Sequence, residues 1–74
     1  MRMRELAAEY GQAAELLRGR IRLLEEEQKL TEDEDRRLRL DRRLRPLRAM
    51  YRETRDVERH LRRYYERTER RKDA

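Results

Sequence analysis

Twenty of the 74 residues are arginine, and six of them, Arg45, Arg48, Arg52, Arg55, Arg59 and Arg62, recur at alternating steps of three and four. On a helix that spacing lines the six guanidiniums along one face for roughly 25 Å, at 1.5 Å per residue. A guanidinium is a planar fork that binds two oxygens at once, which suits phosphates and carboxylates. Tyr64 and Tyr65 lie next to Arg62, Arg63 and Arg67. Their rings can stack on bases or anchor a protein contact. The six arginines with Tyr64 and Tyr65 form the candidate partner-binding set. The partner they imply is acidic: a nucleic acid, a nucleoprotein complex or an acidic protein surface. The plainer alternative is a solvated face, crossed by Glu53, Asp56 and Glu66, in a chain whose arginine content reflects coding bias.

Other chemistry is scarce. Asp56 and His60 are spaced i, i+4 and could hold one edge of a metal. A single histidine on so charged a segment reads instead as a surface residue, and no metal is expected. There is no Cys and no Ser, and Thr31, Thr54 and Thr68 are the only aliphatic hydroxyls. No glycine-rich phosphate loop is present. The expectation is therefore a protein that is not an enzyme, with no cofactor and no small-molecule substrate.

Two helices must carry these residues. Met3, Leu6, Tyr10, Ala13/Ala14, Leu17, Ile21 and Leu24 step by three or four, and Leu16, Leu23 and Leu30 form a second row. This predicts a helix over about 3–30 with a wide apolar face. Gly11 and Gly19 weaken it; both fall where a close backbone approach is possible, with a bland exposed position the plainer reading. Thr31-Glu32-Asp33-Glu34 matches a capping box with Thr31 as the N-cap, so a second helix is expected over about 32–72. Its stripe is Leu40, Leu44, Leu47, Tyr51, Thr54, Glu58, Leu61, Tyr65 and Thr68, with Met50, Val57 and Tyr64 beside it. Glu58 is the one charge in that stripe and marks a place where pairing could loosen. Pro46 removes a backbone donor and predicts a kink or a break near Leu44 and Arg45, with the in-phase periodicity favouring a kink.

The fold class expected is all-α, a single antiparallel two-helix hairpin folded about Thr31. Mirroring there pairs residues whose numbers sum to roughly 62, in antiparallel register. Leu24 then meets Leu38 and Leu40, Leu17 meets Leu44 and Leu47, and Tyr10 meets Tyr51. Leu61, Tyr64, Tyr65 and Thr68 are left without cover. Two helices bury one stripe each, and without a disulfide or metal such a unit usually needs a second copy. A homo-oligomer, most simply a dimeric four-helix bundle, is the expected remedy.

Charge is segregated along the chain. Residues 1–35 carry six cations and ten anions, whereas residues 36–74 carry sixteen and seven. Glu32–Arg36, Asp33–Arg37, Asp35–Arg39 and Asp41–Arg45 are spaced to support the second helix locally. The edge of the first helix offers too few acids to neutralise the arginine row. The chain has no apolar run near the length of a membrane span and no signal-peptide core, so no membrane partner and a cytoplasmic location are expected.

The runs Glu5-Leu6-Ala7-Ala8-Glu9-Tyr10, Ala14-Glu15-Leu16-Leu17-Arg18, Tyr51-Arg52-Glu53-Thr54 and Tyr64-Tyr65-Glu66-Arg67 give the chain a resemblance to a known group. It resembles small helical-hairpin proteins encoded in mobile elements and prophages of Gram-positive bacteria. The resemblance implies a mobile-element setting, with a role as a regulator or as an inhibitor of a host nucleoprotein, anti-CRISPR proteins among them. The competing expectation is a structural coiled-coil module that binds only other helices.

Overall fold

The computed structural model describes the backbone of residues 2–73 and the side chains of residues 2–68. Helix α1 spans Arg2–Leu30 and helix α2 spans Glu34–Asp73, in an antiparallel hairpin 61 Å long and 15 by 14 Å across. No helix among the described residues is long and apolar enough to cross a membrane.

The turn differs from the capping box expected at Thr31. Asp33 is the N-cap: its Oδ1 accepts the Asp35 N–H at 3.1 Å, and its carbonyl accepts the Arg37 N–H at 3.0 Å. Thr31 belongs to the other helix. Its hydroxyl donates to the Glu27 carbonyl at 2.6 Å and its N–H to Gln28 O at 3.3 Å, so it closes the open end of α1. Gln28 Nε2 then reaches across to Arg37 O at 3.2 Å. The reason is reach. Two packed helix axes stand ~8–10 Å apart, and residues 31–33 must cover that distance before α2 can start. Glu32 and Asp33 consequently precede the helix, and the i, i+4 support expected from them does not form. Arg36 pairs across the turn with Glu27 at 3.0 Å instead. Replacing Asp33 by Ala should cost ~1 kcal/mol through loss of the cap. Urea unfolding followed by circular dichroism checks this, and Thr31→Ala as the costlier change would contradict the assignment.

Pro46 does not break the second helix, which is continuous from Glu34 to Asp73. It is exposed, so water can take up the Arg42 carbonyl that loses its donor.

The seam on α2 is the stripe read from the sequence. Leu40 and Leu44 are buried, Glu58 is buried, and Leu47, Tyr51, Thr54, Leu61 and Tyr65 are half-buried. On α1 the stripe is met in part. Ala7, Ala14 and Ile21, seven apart, are buried and Met3, Leu17 and Leu24 are half-buried, while Leu6, Tyr10, Leu16, Leu23 and Leu30 are exposed. Small side chains at the contact let the backbones approach closely, and the row of Leu16, Leu23 and Leu30 is rotated outward.

Close approach is most evident at Gly11. A Cβ there would stand 2.7 Å from Glu58 Oε2, closer than real contacts allow, whereas one at Gly19 would meet nothing. Gly11 is therefore not a bland exposed position, and Glu58 does not loosen the pairing. The glycine leaves the notch into which the carboxylate folds.

The register is also shifted, by about two helical turns. Gly11 opposes Glu58, and the Arg4 guanidinium lies over the Tyr65 ring at 5.4 Å. Both pairs sum to 69 rather than 62, and the three-residue link, centred on residue 32, accounts for part of that shift. The first helix thus reaches Tyr65, and Leu61 and Tyr65 are covered by their own chain. Of the four residues expected to overhang, Tyr64 and Thr68 remain exposed.

Candidate anion-binding groove

The six arginines of the α2 row resolve into two rows of three. Arg48, Arg55 and Arg62 lie inward, against the edge of α1. Arg45, Arg52 and Arg59 lie outward. The inner row is engaged: Arg48 binds Glu25 of α1 at 3.2 Å, while Arg55 and Arg62 grip the two oxygens of Glu58 at 3.2 and 2.9 Å. In the outer row, Arg45 meets Asp41 at 3.2 Å and Arg59 meets Asp56 at 3.7 Å. The row is therefore more neutralised than the sequence implied. Most of the acids come from α2 itself at i, i+3 and i, i+4, and Glu25 arrives through the shifted register. Exposed pairs of this kind are worth little, ~0–1 kcal/mol, and a phosphate can displace them.

Glu58 needs its two arginines. Only 5% of the residue is exposed, and a buried carboxylate is tolerated when its charge and lone pairs are met. Arg62 donates to Oε2 from both Nε and Nη2, at 3.2 and 2.9 Å, and Arg55 donates to Oε1. These two guanidiniums hold the seam together and are committed to that task.

Arg52 is the member of the row with no carboxylate partner among the described residues, and it does not stand alone. It lines a groove with Arg48 of α2 and with Arg18 and Arg22 of α1, over a floor of Ile21 and Tyr51. Glu25, already held by Arg48, is the single acid in the lining. All four arginines are exposed, and Arg18, Arg22 and Arg52 form no ion pair among the described residues. Four guanidiniums against one carboxylate leave a local charge of +3 in a channel with an apolar floor. That arrangement attracts an anion and offers it forked donors from two helices.

Reading the sequence by helix missed Arg18 and Arg22. In the register expected from a turn at Thr31 they stand near residues 44 and 40. Only the observed register sets them beside Arg48 and Arg52.

The tyrosines do not join this surface. Tyr65 sits half-buried in the seam under Arg4. Tyr64 is 55% exposed and shares its side of α2 with Val57, Met50 and Arg43, seven residues apart. Arg43 lines the opposite groove with Arg20, Leu23, Leu24, Pro46 and Leu47. Asp56 turns to Arg59 rather than to His60, and no three His, Asp or Glu side chains gather as a metal set among the described residues.

Compared with protein-family models, with curated proteins and with solved structures, the chain matches none, and its functional reading rests on this geometry.

Proposed function

We propose that the hairpin is a non-catalytic binding module for a phosphate-bearing polyanion, with nucleic acid or a nucleoprotein complex as its target. The observation that supports this reading most is the convergence of three arginines outside any ion pair, Arg18, Arg22 and Arg52, with Arg48 over one groove. A phosphate laid there gains forked donors from both helices, and the outer arginines Arg45 and Arg59 extend the charge along α2. Binding of this kind releases counterions and weakens steeply with salt. In the mobile-element setting that the resemblance implies, such a module would act as a regulator or as an inhibitor of a host nucleoprotein, in the manner of an anti-CRISPR protein.

The test is titration of labelled nucleic acid at several salt concentrations. Changing Arg22 and Arg52 to Glu should weaken binding at least ~10-fold and flatten the salt slope by about two, one for each phosphate left without its arginine. The control changes Arg2 and Arg42, exposed residues that line neither groove, and alters net charge equally. Equal loss in both variants would reduce the groove to bulk charge. Absence of binding at low salt would remove the reading altogether.

A further inference from the structure

The flank opposite the arginine groove has a different character. Leu23 lines it directly, beside Leu24, Pro46 and Leu47. Arg20 and Leu24 place Leu6 and Tyr10 on the same side of α1, because residues seven or fourteen apart share a face. Arg43 does the same for Met50, Val57 and Tyr64 on α2. Six large apolar residues are thus gathered there, with exposures of 41% at Leu6, 36% at Tyr10, 70% at Leu23, 51% at Met50, 38% at Val57 and 55% at Tyr64. The hairpin's own core holds five buried apolar residues, two of them alanine.

We propose that this flank is the interface with a second copy of the chain, forming a two-fold dimer in which α1 packs beside α2 of the partner. Three observations converge on that occupant. The first is area. A globular monomer of this 9.4 kDa mass would expose roughly 5,000 Å², and the hairpin exposes 6771 Å². The excess is about twice the ~800 Å² that one partner contributes to a stable interface. The second is period. Met50, Val57 and Tyr64 are seven apart, the repeat by which one helix packs along another. The third is charge. Helix α1, Arg2–Leu30, carries six cations and six anions and is neutral, whereas α2, Glu34–Asp73, carries sixteen cations and nine anions, a net +7. Setting α2 against α2 would bring the two basic helices together. Setting the neutral α1 against α2 avoids that repulsion twice, once on each side of the two-fold axis.

Sedimentation of the full chain at tens of micromolar should give twice the chain mass, with an unfolding temperature that rises with protein concentration. Changing Met50 and Val57 to Glu should raise the dissociation constant at least ~10-fold. Leu38→Glu is the control. Leu38 is 55% exposed, comparable to Met50, but lies seven residues from Arg45, on the arginine side. Added sodium chloride should change the dimer little, because a neutral helix faces the basic one, whereas a pairing of α2 with α2 would tighten as salt screened its repulsion. Nucleic acid is absent throughout, so the outcome is independent of the polyanion reading. A wild-type chain that sediments as a monomer and unfolds independently of concentration would overturn the proposal, whether or not the variants fold. So would a dimer that survives both Glu substitutions, or one that Leu38→Glu dissociates equally. A dimer that tightens as sodium chloride is added would overturn the pairing of α1 with α2.

Discussion

Leu44→Ala should cost ~2–5 kcal/mol and leave the chain largely unfolded at room temperature. Among the described residues Leu44 is the one large side chain with no solvent exposure at all, and it sits between the buried Leu40 and the half-buried Leu47 and Tyr51. Truncating it removes the transfer free energy of the lost carbons and opens a cavity besides. A narrow two-helix seam has no second layer that could collapse into the gap, so the upper half of that range is expected. Domains of this size have only ~5–15 kcal/mol to lose, and the smallest sit at the low end. Urea unfolding monitored by circular dichroism checks it against Leu38→Ala, the same chemical change at an exposed site, for which ~0.5 kcal/mol or less is expected. Similar midpoints for the two variants would mean that Leu44 is not the centre of the core.

The second large effect comes from adding atoms. Ala14→Leu should cost ~1–3 kcal/mol or more by overpacking, although leucine is a good helix former and is more apolar. Ala14 is 1% exposed, at the middle of the row formed with Ala7 and Ile21. The added carbons there meet the backbone and side chains of α2, and the helices must separate or slide. Ala13→Leu, one position away and exposed, changes helix propensity and bulk equally but should leave stability within ~0.5 kcal/mol. Thermal unfolding of the pair reads the difference. Equal stability of the two variants would show that the helices are not held at close approach.

That contrast also explains which parts of the fold were legible in the sequence. The α2 stripe could be read because its seam positions carry Leu and Tyr, which stand out from a background of arginine. The α1 seam was legible only in part: Ala14, Leu17, Ile21 and Leu24 stood in the stripe, but Ala7 did not. Hydropathy ranks Leu6, Leu16 and Leu23 above Ala7 and Ala14, whereas contact with a close neighbour selects the smaller residues. Register lay beyond periodicity altogether, since a heptad pattern repeats and fits itself at several offsets. It depended on whether Thr31 or Asp33 capped α2, and Thr, Asp and Glu are all good caps or capping partners at such a site. The offset then decided the chemistry. Arg48 and Arg52 were visible as members of a row, but Arg18 and Arg22 became their neighbours only at the observed pairing. Ion pairs such as Arg62–Glu58 depend on rotamers as well as spacing, so the sequence could suggest them without choosing among them.

Two repeating helices side by side resemble a pair of toothed rules, free in principle to slip by a whole tooth and mesh again. The carboxylate of Glu58 folded against Gly11 acts as an indexing pin in a keyway. Slipping by one heptad would set that pin against Arg4 or Arg18, whose long side chains leave no notch for it. One glycine and one clamped acid therefore fix the phase of the whole instrument. The alignment of four arginines farther along the scale follows from a mark cut near its other end.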